Sequence, residues 1–332
     1  MRAVGPFGLT VGDPELEDAL LTGMVAVDEL LHDTVKSQDP FVAEVARHLV
    51  AAGGKRFRPL MVLLAAQFGD PQAPGVIPAA VVVELTHLAT LYHDDVMDEA
   101  ALRRGTPSAN ARWTNTVAIL TGDFLFARAS DLLADLGPTA VRIQARTFER
   151  LVTGQIHETV GPPDGGDPLD HYLMVVADKT ASLIATSGRF GALLSGADDS
   201  VGDVLTRFGE RIGVAFQLAD DLLDIQSESN ESGKTPGTDL REGVRTLPAL
   251  HALRSTDPRD RRLQELLQRP LIDPAEHAEA LSLLRAHPAM DLTRKDLRSY
   301  ADDARSVLGP LPDCPAKEAL VRLCDAVIVR TG

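Results

Sequence analysis

Two short acidic runs, Asp94-Asp95-Val96-Met97-Asp98 and Asp220-Asp221-Leu222-Leu223-Asp224, carry the same D-D-x-x-D pattern 126 residues apart. On a helix, residues i and i+4 share one face about a turn apart. Asp94 and Asp98 are therefore expected to point the same way, as are Asp220 and Asp224. Each run follows apolar sequence, Leu85 to Tyr92 and Val214 to Ala219, so its carboxylates belong to a half-buried face. Like charge and lost hydration both cost free energy there, and something cationic must offset them. All-oxygen ligands that leave room for water suit Mg²⁺, which commonly bridges one or two carboxylates to a substrate phosphate. Two such clusters with Mg²⁺ between them would make a cradle for a diphosphate. One acidic run alone is equally well explained as a solvated helix face. The repetition, with basic residues after each copy, favours chemistry.

The basic residues form sites of their own. Gly53-Gly54-Lys55-Arg56-Phe57-Arg58-Pro59 places three cations in a glycine-hinged turn before a helix. Helix N-termini and pliant glycine backbone favour anions, which makes this a second candidate phosphate site. Arg103-Arg104-Gly105-Thr106-Pro107 begins five residues after Asp98, Asp178-Lys179-Thr180 sits in a third helix, and Phe216-Gln217 runs into the second acidic motif. Ser227 to Arg245, rich in Gly, Ser, Pro and charge, reads as a surface loop or as a phosphate-covering flap carrying Lys234.

The elements that must position these groups are helices. Apolar residues recur at three- and four-residue spacing, and no alternating strand pattern stands out. Helices are expected near 17–36, 39–52, 76–99, 107–135, 138–160, 168–196 and 200–228, with another opening at Pro59. Shorter ones are expected near 246–255, 259–268, 273–287, 291–308 and 315–330. Asp13-Pro14-Glu15 reads as an N-cap with proline at the first helical position. A length of 332 residues suggests about two domains. With no low-complexity linker and no repeat of fixed period, however, the expectation is a single all-α domain over 1–332, with a short disordered N-terminus at 1–13. A hydrophobic content of 44% is ample for a core, and no run of 18 apolar residues marks a membrane span. The net charge of −15 argues against nucleic acid and against docking on anionic lipid. Cys314 and Cys324 fit no metal or redox spacing, and no secretory signal is apparent, so the expected location is cytoplasmic.

In the order G-G-K-x-x-R-P, D-D-x-x-D, R-R-G-x-P, K-T and Q-x-x-D-D-x-x-D followed by G-K, the chain resembles the all-trans isoprenyl (polyprenyl) diphosphate synthases. The match runs from Gly53 to at least Pro248. The resemblance implies about a dozen helices around a deep central cavity, paired as a homodimer. It implies that Lys55, Arg58, His87 and Arg104 hold the diphosphate of isopentenyl diphosphate. Asp94, Asp98 and Asp220 match metal ligands, with Asp95 and Asp224 in support, for several Mg²⁺ ions, about three per site. Arg103, Lys179, Thr180, Gln217 and Lys234 match contacts to the allylic diphosphate. Asp94, Asp98, Asp220, Lys179 and Lys234 are thus the expected catalytic set. One departure stands out: Val244 occupies a place where members of the family often carry lysine, and Arg241 or Arg245 would have to supply that charge.

The chemistry implied is head-to-tail prenyl transfer. Diphosphate leaves an allylic carbon, and isopentenyl diphosphate attacks the resulting cation. Metal ions and guanidinium groups offset the charge of two diphosphates most where it develops, on the leaving group. An apolar, closed cavity keeps water from the cation. Upstream of Asp94, Ala89, Thr90 and Thr86 are small, so the lane for a growing chain is expected to be open. A helix over 76–93 is roughly 27 Å long, and one isoprene unit takes on the order of 5 Å. This geometry suggests products of roughly 35–50 carbons, suited to a quinone side chain and calling for transient membrane contact on release. The alternatives are a short-chain, geranylgeranyl-type synthase and a non-catalytic partner subunit.

Overall fold

The computed structural model describes residues 9–227 and 236–330. It is helical almost throughout, as expected. The chain forms two compact units, each assembled from three segments.

The first unit comprises Met1–Glu149, Ser182–Gly209 and Val307–Leu323. It contains α1 (Pro14–Thr34), α2 (Pro40–Ala51), α3 (Phe57–Ala66), α4 (Val76–Met97), a two-residue hairpin β1 (Leu102–Arg103) and β2 (Thr106–Pro107), α5 (Ala109–Arg112) and α6 (Asn115–Leu136). The start of α7 (Pro138–Val160) belongs to it as well. In the second unit lie the rest of α7, then α8 (Pro168–Val176) and a π turn (Ala177–Ala181). The chain returns to the first unit with α9 (Ser182–Leu194) and the beginning of α10 (Asp199–Gln226). The remainder of α10, α11 (Thr238–Glu242), α12 (Leu247–Leu253), α13 (Arg261–Leu266), α14 (Pro274–Ala286) and most of α15 (Ala289–Val307) belong to the second unit, and α16 (Pro315–Val329) closes the chain.

Asp-Pro dipeptides start many of these helices. Asp13, Asp39, Asp167 and Asp273 each sit in extended backbone before Pro and accept a hydrogen bond from an N–H of the first turn. Such caps contribute about 1 kcal/mol apiece, and the proline surrenders no bond because its position has no intrahelical partner. Order therefore begins before Pro14. Leu9 and Val11 are buried, which corrects the expectation of disorder as far as residue 13; residues 1–8 lie outside the described set.

Three further expectations change. The helix expected over 107–135 breaks at Trp113, where φ is −119° and ψ −92°, and restarts after Thr114, whose Oγ1 accepts from Val117 N at 3.2 Å. The helix expected over 168–196 is interrupted by the π turn at 177–181. The hairpin at 102–107 was not foreseen, because two-residue strands are too short to show a period. Its loop, Arg104-Gly105, has positive φ at both residues (54° and 76°), the requirement of a type I′ turn.

In the first unit, α4 is the central helix and packs against α6, α9, α3 and α1. By length and composition it is the one helix among the described residues that could cross a membrane, yet most of it is buried inside the protein. It also carries Glu84, His87 and Asp94, polar groups that suit a core helix serving a site. α3 and α9 approach closely through Gly191: a Cβ there would lie 2.3 Å from Val62 O. In the second unit α8 packs on α12, and Arg285 of α14 holds the end of α10 by donating to Ile225 O at 2.6 Å. Gly191→Ala should therefore lower stability by about 1–3 kcal/mol through overpacking. Chemical denaturation measures this, and an unchanged midpoint would contradict the close approach.

Candidate active site

The first unit gathers one set of the expected residues. The last turns of α4 carry Asp94, half-buried, and Asp98, exposed at the helix end, where its N–H donates to Asp94 O at 2.8 Å. Asp95 lies about 100° round the helix and is fully buried. Arg103 of the hairpin donates to Asp95 Oδ1 at 2.5 Å, while Oδ2 accepts no hydrogen bond among the described residues. Burial raises the Asp95 pKa against the opposing pull of Arg103. Asp95 is a buried anchor that ties the hairpin to α4, and it does not share the open face of Asp94 and Asp98. Arg103 commits its Nε to that anchor.

Four guanidinium groups converge on His87. It sits two turns before Asp94, and its pKa is well below the ordinary histidine value. Burial is the largest cause, followed by the charges of Arg58, Arg104, Arg103 and Arg56. The imidazole is therefore neutral at neutral pH, and the surrounding field attracts anions. Arg104 reaches this place because the hairpin loop turns it back toward the end of α2, where Nη1 donates to the carbonyls of Leu49 and Gly53. Gly54 has φ 147°, and a Cβ on it would meet the Arg104 guanidinium at 2.8 Å. Glycine is required at 54 on both counts. Lys55 is exposed and Arg58 half-buried.

Of the chain-length positions, Ala89 and Thr86 are fully covered. Thr86 Oγ1 also accepts from Gln144 Nε2 at 2.8 Å. Among the described residues both side chains are packed in the interior of the first unit. His87, Thr90, Leu91 and Asp94 form the accessible stripe of α4 at helical spacing, and Thr90 remains on it. Phe126 of α6 packs at a tilt against Phe148, with ring centroids 4.5 Å apart.

The second unit gathers the other set. Lys179 and Thr180 lie in the π turn, a distortion frequent at functional sites. Gly154 of α7 makes room for it, since a Cβ there would lie 2.7 Å from Lys179 N. Arg150 fastens the turn, donating from Nε to Asp178 Oδ1 at 2.9 Å and from Nη1 to Glu210 Oε1 at 2.5 Å. Lys179 Nζ pairs with Glu158. Thr180 Oγ1 donates to Gln217 Oε1 at 3.1 Å, and Gln217 Nε2 to Asp221 Oδ1 at 3.0 Å.

Asp221 is the counterpart of Asp95, the buried second acid of its motif. Burial pushes its carboxyl up to about 6, moderated by hydrogen bonds from Tyr172 and Gln217. Asp220 is half-buried, and Arg330 donates to its Oδ1 at 2.7 Å, a partner that no sequence signal announced. Asp224 accepts from Thr238 N and Asp239 N, each at 3.2 Å, and so caps the short helix α11. Its carboxylate thus ties the end of α10 to that helix start. Lys234 lies outside the described residues. Arg245, one candidate to replace the charge missing at Val244, donates instead to Gln268 at 3.3 Å.

Among the described residues, no group of three His, Cys, Asp or Glu side chains forms a metal cage. Mg²⁺ does not need one, because it takes one or two carboxylates and completes its shell with water and phosphate oxygens. Asp94 and Asp98, an all-oxygen pair one turn apart on an accessible face, fit that donor set.

A family model described as Polyprenyl synthetase matches residues 39–284. This chain belongs to the polyprenyl synthetase family. It is a prenyltransferase. Nonaprenyl diphosphate synthase of Mycobacterium tuberculosis is 52% identical over 326 residues, covering 98% of this chain and 97% of that protein. A geranylgeranyl pyrophosphate synthase from Corynebacterium glutamicum, solved in complex with calcium and isoprenyl diphosphate, matches with a TM-score of 0.87 and 48% identity, covering 97% of this chain and 99% of that one. A polyprenyl synthase from Caulobacter crescentus, complexed with the same ligands, matches at 0.89 and 34% identity over all of both chains.

The depressed His87 pKa has a consequence for stability. The folded pKa lies below the 6.5 of the free side chain, so the unfolded chain binds the proton more readily. The contribution is intact above about pH 6.5 and is lost as pH falls below it. Urea denaturation at about pH 7.5 and about pH 5.5 should show a smaller acid-side loss in His87→Gln than in the parent. Equal losses would contradict a depressed pKa.

Proposed function

We propose that this prenyltransferase condenses isopentenyl diphosphate head-to-tail with an allylic diphosphate, with Mg²⁺, to give an all-trans polyprenyl diphosphate of medium to long chain. The observation that carries the reading is the pairing of two kinds of site. One, in the first unit, is the set of cations around a neutral His87, suited to one diphosphate; the other is the D-D-x-x-D motif, carried once in each unit, whose outward acids suit metal-bridged phosphate. A terpene cyclase would share the acids and have no need of the pocket.

In this reading Lys55, Arg58, His87 and Arg104 bind the diphosphate of isopentenyl diphosphate, with His87 donating a neutral N–H. Asp94 and Asp98 of the first motif, and Asp220 of the second, are the carboxylates that would hold Mg²⁺ for the allylic diphosphate. The metal supplies charge neutralisation on the leaving oxygen. Lys179 adds a point charge and Thr180 and Gln217 polar contacts to the same group. Released diphosphate can take the proton lost after coupling, so no side chain need serve as a dedicated base.

Support for a medium or long product comes from the small side chain of Thr90 on the accessible stripe of α4 and from the likeness to a nonaprenyl diphosphate synthase. The likeness to a geranylgeranyl pyrophosphate synthase favours a second reading, a product of twenty carbons. Incubation with isopentenyl diphosphate, Mg²⁺ and primers of ten, fifteen and twenty carbons, followed by sizing of the products, separates the two.

Two variants test the chemistry. Asp94→Ala should lower turnover by about a hundredfold or more with the helical spectrum unchanged, and a chelator should abolish activity. Full activity in excess chelator would end the metal reading. Thr90→Phe adds a ring one turn before Asp94 and should shorten products to roughly 15–20 carbons while coupling continues. Unchanged product length would place the growing chain elsewhere.

A further inference from the structure

Arg56 is the one cation of the basic turn that has no place in the reading above. It is also the most constrained. Its backbone is left-handed, at φ 48° and ψ 36°, immediately before α3. A residue with a Cβ pays for that conformation where glycine, used at 53 and 54, would not. Its side chain is only 8% exposed and satisfies three acceptors from three elements. Nη1 donates to Glu84 Oε1 at 2.7 Å, Nε to Asp28 Oδ1 at 3.1 Å, and Nη2 to Val50 O at 3.2 Å. Glu84 is itself 1% exposed and lies on α4, three residues before His87. Asp28 lies on α1 and Val50 on α2.

A planar guanidinium that meets three fixed acceptors holds one orientation, which a lysine ammonium cannot match. The angle at which the chain enters α3 is therefore set by the anchor at 56, and so are the directions taken by Lys55 before it and Arg58 after it. The anchor's main partner is one turn from His87 on the same helix. The Arg56–Glu84 pair thus ties the turn that carries two proposed diphosphate ligands to the helix that carries a third.

We propose that Arg56, gripped by Glu84 and Asp28, is a positioning residue that aligns Lys55 and Arg58 with His87 and so sets affinity for isopentenyl diphosphate without contacting it. This rests on the assignment of Lys55, Arg58 and His87 to that substrate. A buried ion pair can often be exchanged for apolar residues at no loss of stability, whereas removing one partner strands the other.

That asymmetry supplies the test. The double variant Arg56→Met/Glu84→Leu strands no charge, so its melting temperature should stay close to that of the parent. Its KM for isopentenyl diphosphate should rise about tenfold or more, the scale of a misdirected binding group, with kcat and the KM for the allylic primer within about twofold. Arg56→Lys should recover only part of the loss, because it restores the charge without the fork. Lys55→Ala serves as the control for the underlying assignment. If Lys55→Ala raises the isopentenyl diphosphate KM and the double variant does not, the positioning role is overturned and the site assignment stands. If Lys55→Ala leaves that KM unchanged, the site assignment itself fails. Should the double variant melt early, Glu84→Gln, which keeps the side-chain shape, carries the same kinetic comparison, and equal rises in both KM values there would also overturn the proposal.

Discussion

Removing a charged group from water without a partner costs more than most folds can bear, and in this protein that cost decides where nearly every polar side chain near the site goes. Each acidic motif places acids on a helix that is apolar on one side. The first and fifth acids, one turn apart, stay within reach of solvent. The second, rotated by about a hundred degrees, is carried into the interior and must be matched there. Asp95 is matched by Arg103 and Asp221 by Tyr172 and Gln217. The D-D-x-x-D pattern thus divides its acids: Asp94, Asp98 and Asp220 reach solvent, Asp95 and Asp221 fasten neighbouring elements from inside, and Asp224 accepts from the first turn of α11.

The same cost governs the cations. The guanidinium groups around His87 would repel one another if left unpaired, and each of three is tethered. Arg56 meets Glu84 and Asp28, Arg103 meets Asp95, and Arg104 meets the carbonyls of Leu49 and Gly53. Their charges still act on His87 and add to burial, the larger cause, in lowering its pKa. A field assembled in advance by tethered groups needs no rearrangement when a diphosphate arrives.

Tethering has a backbone cost. Arg56 and Arg104 both occupy left-handed conformations unfavourable to residues with a Cβ, and the helix bearing Lys179 widens into a π turn. Such distortions persist only where surrounding contacts over-determine them. Around Arg56 three hydrogen bonds do so, around Arg104 the type I′ loop does, and around the π turn Arg150 and the close approach of Gly154 do. The distortions at Arg104 and the π turn carry side chains proposed to meet substrate, and the one at Arg56 sits beside two such side chains, Lys55 and Arg58.

Much of this was legible in the residues themselves. Helical periodicity, Asp-Pro starts and the two acidic motifs are local signals, and local geometry is enough to say that Asp94 and Asp98 share a face. Family membership followed from motif order, which is also a property of the linear chain. What escaped was everything set by contacts between distant segments. Ala89 was legible as a small residue before the first motif, and only packing determined that it is covered. Asp95 and Asp224 were legible as acids, and only the neighbouring Arg103 and the start of α11 determined that they are engaged. Arg56 looked like one more cation in a basic turn until Glu84, 28 residues away, turned it into an anchor. The sequence by itself determined which groups exist and which face of a helix they share, because helix geometry is periodic and local. The tertiary structure alone decided which of those groups are tethered inside and which remain open, because the partner that offsets a buried charge lies elsewhere in the chain.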